Sequence, residues 1–137
     1  MLTITPTNVR FDTLTLDEVT HIAVERAAER AVVEWSDLGS HATFADVPEQ
    51  RITVKVVRRA LRGDLGALAP GQLGELSFVV SPVGTAAAAR KHAAQCVVLS
   101  VKYDLSHPPK GPGAVQMIEF VAISSTGAAD PFTITDA

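Results

Sequence analysis

The chain has 137 residues, of which 47% are hydrophobic and 20% are charged, a composition that suits one domain with its own core and excludes an intrinsically disordered chain. Its 12 basic and 15 acidic residues give a net charge of −3, which disfavours binding driven by nucleic-acid phosphates. The start carries no signal-peptide pattern and no apolar run is as long as a membrane span. We therefore expect a single domain over residues 1–137 that does not insert into a membrane.

The first 35 residues predict extended structure with one ambiguous segment. Threonines alternate with apolar residues over residues 3–16, which indicates short extended pieces near a sheet edge. Residues 19–35 contain an alanine-rich centre with neighbouring Glu and Arg, typical of a helix, but Ile22 and Val24 at one end and Val33 and Trp35 at the other alternate as in strands. We favour two strand pieces, joined or kinked at the alanines.

Residues 36–50 have the composition of a long exposed loop, with Gly39, Pro48 and several Ser, Asp and His residues. The segment also holds Leu38, Phe44 and Val47. Because loops of this length in compact domains are usually functional, its apolar residues indicate docking onto another surface, or else Phe44 folds back as a lid on its own core.

The clearest strand follows, over residues 51–58, where Ile52, Val54 and Val56 alternate with polar residues. Three further strands are predicted over residues 74–80, 96–104 and 115–123. Residues 63–74 predict a loop, residues 85–94 a short helix capped by Thr85, and residues 106–113 a hairpin loop between antiparallel strands. The predicted fold is mainly β, a small antiparallel β-barrel or sandwich with one short flanking α-helix and a long early loop.

The last two predicted strands are apolar on both sides. Over residues 96–104 we place Val98 on the face opposite to Val97, Leu99, Val101 and Tyr103, and the strand over residues 115–123 has apolar residues on each face. If both faces of these strands are buried, another element must pack against the second face of the sheet. With one short helix predicted, the cover is that helix or a neighbouring subunit.

No motif indicates catalysis or a cofactor. The four histidines lack metal-ligand spacing, and no phosphate-binding or nucleophile motif is present. Cys96 is the single cysteine, which excludes an intramolecular disulfide and indicates buried packing in a reducing compartment. Asp37, His41 and Asp46 are close in sequence, but such residues are common in loops. We expect a protein that is not an enzyme and that binds no cofactor or metal.

Several segments together resemble the phage-type tail tube proteins, whose subunits form stacked hexameric rings. The resemblance is carried by residues 32–37 (Val-Val-Glu-Trp-Ser-Asp), the loop up to residues 46–51 (Asp-Val-Pro-Glu-Gln-Arg), the strand over residues 52–56, and the late strand over residues 118–124 with the following residues 125–131. It implies a structural subunit that assembles into a tail tube conducting DNA, in the host cytoplasm during assembly and then in the virion tail.

The resemblance also implies partners and site residues. The partners are further copies of the chain, other tail proteins, and DNA passing non-specifically through the lumen, and residues 2–10 and 130–137 also contribute contacts between subunits or rings. A ring-stacking loop is implied at Asp37, Leu38, His41, Phe44, Asp46 and Val47. We expect the subunit interface at Val98, Phe132 and Ile134, and the channel lining among Glu75, Asp104 and Glu119.

Three alternatives stay open on the sequence. The chain could be another tail component such as a terminator. It could be a monomeric β-barrel that binds a small ligand, with the two-sided apolar strands lining a cavity. An enzyme is the least supported class, because it would need the Asp37, His41 and Asp46 side chains to converge.

Overall fold

The computed structural model describes residues 6–59, 68–80, 89–105 and 114–136, and for residues 104, 105 and 114 it describes the backbone alone. These residues form eight strands. They are β1 (Thr7–Phe11), β2 (Leu14–Thr15), β3 (Val19–Trp35), β4 (Ala42–Arg59), β5 (Leu73–Val80), β6 (Arg90–Leu105), β7 (Ala114–Ala122) and β8 (Thr133–Asp136). The mainly β prediction is confirmed.

All described strands belong to one antiparallel sheet in the order β2-β1-β5-β6-β7-β4-β3, and β8 pairs with β6. β6 is long enough to pair with β8 near its start, at Arg90 to Ala93, and with β7 farther along. β2 and β3 form the two ends of this order, and no described strand pairs with both. The sheet is therefore open, which corrects the predicted barrel or sandwich.

The core covers one face of the sheet and is built from alternate residues of each strand. Ile52, Val54 and Val56 of β4 are 6%, 0% and 0% exposed, as their alternation in the sequence predicted. β7 contributes Ile118 and Phe120 in the same way. The other buried apolar residues are Val9, Phe11, Leu16, Leu68, Leu76, Phe78, Ala94, Cys96, Val98, Ala122 and Phe132.

A bulge in β6 corrects the predicted faces of that strand. Val98 lies opposite Phe120, but Ser100 lies opposite Glu119, so one extra residue, Leu99, is inserted between them. An extra residue in a strand reverses which alternate positions face the core. Val98 therefore faces the core before the bulge and Val101 packs against it afterwards, whereas the unbroken alternation had placed them on opposite faces.

The structure contains no helix among the described residues, which corrects part of the predicted flanking helix. Arg90 to Ala94 belong to β6, where β5 pairs on one side and β8 on the other. Ladder hydrogen bonds on both sides outweigh the helix propensity of the alanines. The first part of that predicted helix, the loop over residues 106–113 and the first five residues of the loop over residues 63–74 lie outside the described residues.

The predicted long loop is mostly strand. β4 begins at Ala42, so only residues 36–41 connect it to β3, and the prediction of an irregular segment over residues 42–50 is wrong. The polar composition that suggested a loop suits a two-stranded ribbon, which is solvated on both faces. The two pieces predicted within residues 19–35 form one strand with pairing irregularities near Ala28 and Arg30, where the kink was expected.

Candidate functional site: the projecting arm

β3 and β4 continue past the sheet as a two-stranded hairpin, which we call the arm (residues 27–51). β4 pairs with β7 from Thr53 onwards, whereas the pairs from Ala27 with Arg51 to Trp35 with Ala42 involve β3 and β4 alone. Every residue of the arm is exposed. At about 3.3 Å per residue, the arm reaches about 25 Å beyond the sheet.

Cross-strand polar contacts hold the arm together near its base. Arg30 lies 3.8 Å from Glu49, and Arg51 lies 3.7 Å from Glu29. All four side chains are exposed, so each pair stabilises the arm by less than about 1 kcal/mol. The stability of the arm therefore depends on the backbone hydrogen bonds between its two strands and on any surface that packs against it.

The far half of the arm carries large apolar side chains on both faces. Directly opposed residues of an antiparallel pair share a face, so Val33 and Trp35 lie on one face, while Val32 and Phe44 lie on the other. Trp35 is 62% exposed, Phe44 is 52% exposed, and Leu38 in the connecting turn is 95% exposed. These exposed apolar side chains make the far half of the arm the candidate interaction surface.

The base of the arm is tied to the segment that precedes β8. Arg26 Nη2 lies 3.1 Å from Asp130 Oδ2, and Asp130 Oδ1 accepts a hydrogen bond of 3.0 Å from the backbone N–H of Phe132. The hydrogen bond from Phe132 and the Arg26 guanidinium together lower the pKa of Asp130. These contacts fix the point from which the arm leaves the sheet.

An apolar cleft of about 510 Å³, which we call the seam cleft, lies between edge strand β3 and strands β5, β6 and β8. Its apolar walls include Ile22, Val24, Phe78, Phe132 and Ile134, and Arg26 and His92 also line it. The cleft shows that β3 approaches β5 and β8 across the core face without a hydrogen-bonded ladder between them.

The His92 imidazole stacks on the Phe78 ring within the seam cleft, with centroids 5.3 Å apart and planes 5° from parallel. Burial lowers the pKa of His92, because its charged form would lose hydration against these apolar walls. Phe132 contacts the same Phe78 ring edge-on at 6.3 Å. The cleft floor is thus an aromatic cluster with a neutral histidine at pH 7.

The six predicted ring-stacking residues all lie on the arm, in two groups. Asp37, Leu38 and His41 belong to the turn, whereas Phe44, Asp46 and Val47 belong to β4. All six are exposed. In the part of the chain that the structure describes, no three His, Cys, Asp or Glu side chains could hold a metal ion together.

The three predicted interface residues lie in different environments. Val98 is 1% exposed and belongs to the core of its own chain. The expectation that its side chain faces a neighbouring subunit is therefore wrong. Phe132 is 9% exposed and packs against Phe78, whereas Ile134 is 59% exposed at the seam cleft. Ile134 alone of the three offers an accessible apolar side chain.

The predicted channel residues Glu75 and Glu119 lie on the face of the sheet away from the core. Glu75 is exposed and Glu119 is half-buried, while the side chain of Asp104 lies outside the described atoms. The same face also carries lysines, and its charge is therefore mixed. Lys55 lies directly opposite Glu119, and Lys91 and Lys102 occupy outward positions of β6.

Two parts of the site, β8 and the seam cleft, were not predicted from the sequence. β8 was treated as a terminal segment, although Thr133, Ile134 and Thr135 alternate as a strand should. The seam cleft has no sequence signal, since strands far apart in the chain form its walls.

Comparison of the chain with protein-family models and with curated proteins gives no match. Over the described residues, the structure has no helix of the length and apolarity that crossing a membrane requires. The arm and the seam cleft are therefore the features from which a function can be argued.

Proposed function

We propose that this protein is a structural subunit that assembles with copies of itself through the arm, as the stacked rings of a phage-type tail tube do. The observation that carries the proposal is the apolar far half of the arm. A two-stranded hairpin without a third strand or a packing partner is only marginally stable in water. Covering Trp35, Phe44 and Leu38 with a neighbouring subunit would remove their apolar surface from water.

The open sheet supports a ring as the unit of assembly. Its two end strands, β2 and β3, present different surfaces, and a contact between unlike surfaces closes into a ring when the rotation permits. In this proposal, sheets of neighbouring subunits join around the ring to complete a barrel that lines the channel. The arm projects from the ring and contacts the next one, so the rings, hexameric by resemblance, stack into a tube.

Passage of DNA requires a lumen that does not hold it tightly. The outward face of the sheet combines Glu75 and Glu119 with lysines, and the whole chain has a net charge of −3. A surface of mixed sign binds phosphates less tightly than one that is basic throughout. We propose this face as the lining of the channel.

Negative-stain electron microscopy of the purified protein across a concentration series, with its mass in solution, tests the proposal. The matched variant has a shortened arm, in which an Asn-Gly turn joins Arg30 directly to Glu49, a pair already opposed in the ladder. We expect stacked rings or tubes from the natural chain, and from the shortened one a folded subunit that no longer forms stacks. A natural chain that stays monomeric at every concentration would contradict the proposal.

The seam cleft supports a second candidate function, the binding of a small apolar ligand by a monomer. Its volume of about 510 Å³ lies in the usual range for ligand pockets, and most of its lining residues are apolar. In that case the chain would remain monomeric and would bind a fluorescent apolar probe with one-to-one stoichiometry. Substituting Ile134→Asp at the cleft would then abolish probe binding, while shortening the arm would not affect it.

A further inference from the structure

The seam cleft has apolar walls that the described residues leave partly exposed. Val24 is 45% exposed and Ile134 is 59% exposed, and both line the cleft. Behind them lies the aromatic cluster of Phe78, His92 and Phe132. A flat aromatic side chain entering between Val24 and Ile134 would contact apolar atoms on both sides and aromatic rings at the floor.

The arm carries the complement of this cleft in shape and polarity. Trp35 is 62% exposed on one face of a narrow two-stranded ribbon, and tryptophan is among the residues that most often anchor protein interfaces. Its indole N–H also needs a hydrogen-bond acceptor once it is buried. The imidazole of His92, neutral at pH 7, has one nitrogen that can accept.

The charges of the two surfaces are also complementary. Residues 31–50 contain Glu34, Asp37, Asp46 and Glu49 but no lysine or arginine. The residues that line the seam cleft include the cationic Arg26 but no carboxylate. Arg26 already contacts Asp130 at the rim, and its side chain is still 52% exposed, so a second carboxylate can approach it. Complementary charge steers two surfaces together and fixes their orientation.

The arm cannot fill the cleft of its own chain. Val24 and Arg26 line the cleft, and the arm begins at the next residue and continues the same ladder to Trp35. Nine residues of strand carry Trp35 about 30 Å away from Arg26. Folding back would break the β3–β4 pairs that define the arm. An arm tip that occupies this cleft must therefore belong to another copy of the chain.

We infer that the tip of the arm docks into the seam cleft of a second copy of this chain, with Trp35 as the anchoring side chain. The inference rests on the proposed self-assembly and adds the surface that receives the arm. Because the tip and the cleft are different surfaces, a docked pair still offers one free tip, on one copy, and one free cleft, on the other. Such a heterologous contact propagates in one direction, as stacking requires.

Cross-linking between two single-site variants tests the inference. One chain carries Ala45→Cys, which lies on the Trp35 face of the arm, and the other carries Ile134→Cys at the cleft. The native Cys96 is buried and does not compete. With a short thiol-reactive cross-linker, we expect at least tenfold more linked heterodimer than when Leu73→Cys, 56% exposed at the start of β5, replaces Ile134→Cys.

A further variant assigns the anchor. Adding Trp35→Ala to the Ala45→Cys chain is expected to reduce linkage to the level of the Leu73→Cys control, and because Trp35 is exposed, this change leaves the fold intact. Equal linkage at positions 134 and 73, or linkage unaffected by Trp35→Ala, overturns the inference. If tubes form while either result is found, the proposed self-assembly stands without this docking site. If the natural chain never assembles, both proposals are overturned.

Discussion

The rings of Phe11 and Phe120 lie 5.1 Å apart across the core, although two strands separate β1 from β7 in the sheet. Neighbouring strands are spaced about 4.8 Å apart, so a flat sheet would hold β1 and β7 about 14 Å apart. Both rings are at most 1% exposed. The sheet must therefore curl around these two side chains, which explains how a single open sheet encloses a core and how β3 comes to form the seam cleft with β5, β6 and β8.

Gly74→Ala is expected to destabilise the fold by about 1–3 kcal/mol, as overpacking in a core typically does. A Cβ at this position of β5 would lie 2.6 Å from Asp12 Oδ2 and 2.9 Å from Phe11 Cζ. Asp12 cannot move away easily, because its Oδ1 accepts a 2.7 Å hydrogen bond from the Glu75 N–H. Urea denaturation monitored by circular dichroism measures the change.

Gly39→Ala is the matched control for Gly74→Ala. Gly39 lies in the turn of the arm, where an added Cβ would meet no atom within 4 Å. We expect a change of at most about 0.5 kcal/mol. Equal effects of the two substitutions would show that the close contact at Gly74 does not limit the packing of β1 on β5.

Gln116→Leu is expected to cost about 1–3 kcal/mol, the usual penalty for removing the partner of a buried polar group. Gln116 Oε1 accepts a 2.5 Å hydrogen bond from Arg58 Nε, and its Nε2 donates a 3.1 Å hydrogen bond to the Tyr103 hydroxyl. Arg58 is only 3% exposed. Gln95→Leu, at an exposed position of β6, serves as the control. A similar loss of stability there would show that exchanging Gln for Leu in a strand has this cost even without the buried hydrogen bonds.

Val98→Asp is expected to prevent stable folding, because the carboxylate would be buried at a core position that is 1% exposed, without a partner provided for it. Val97→Asp, at the adjacent position on the opposite face, is expected to leave a folded chain. One-dimensional proton NMR distinguishes the two outcomes by the dispersion of methyl signals. A folded Val98→Asp variant with impaired assembly would instead place Val98 at a subunit interface.

The Cys96 thiol is expected to resist modification in the folded protein. Burial raises its pKa to about 12 from 9.0, which lowers the thiolate fraction at pH 8 by about a thousandfold. We expect reaction with a chromogenic disulfide reagent to be at least a hundredfold slower in buffer than in denaturant. Rapid reaction in buffer would show that the centre of the sheet opens readily.

Acidification is expected to weaken the fold through His92. Burial lowers its pKa below the usual 6.5, so well above pH 6.5 the imidazole is neutral in both folded and unfolded chains. Below pH 6.5 the unfolded chain takes up the proton more readily, and the free energy of unfolding falls as the pH drops towards the folded-state pKa. His92→Gln should lose less stability than the natural chain between pH 7.5 and pH 5.5 in urea denaturation. Equal losses would mean that His92 stays hydrated within the cleft.

The sequence determined the local elements whose pattern is unbroken. The alternation at Ile52, Val54 and Val56 correctly predicted a strand and its buried face, because a period of two places these side chains on the same side. It also predicted that residues 36–50 are exposed and carry apolar side chains. Both features follow from the order of residue types along a short stretch, without knowledge of distant partners.

Tertiary structure decided the rest, because it depends on pairing between segments far apart in the chain. Arg90 to Ala93 form strand because β5 and β8 both pair with them, against their helical propensity. The bulge at Leu99 decides that Val98 and Val101 both reach the core, since one extra residue reverses the alternation. The seam cleft and the reach of the arm arise from the curl of the sheet and the length of the β3–β4 ladder, which no local pattern encodes.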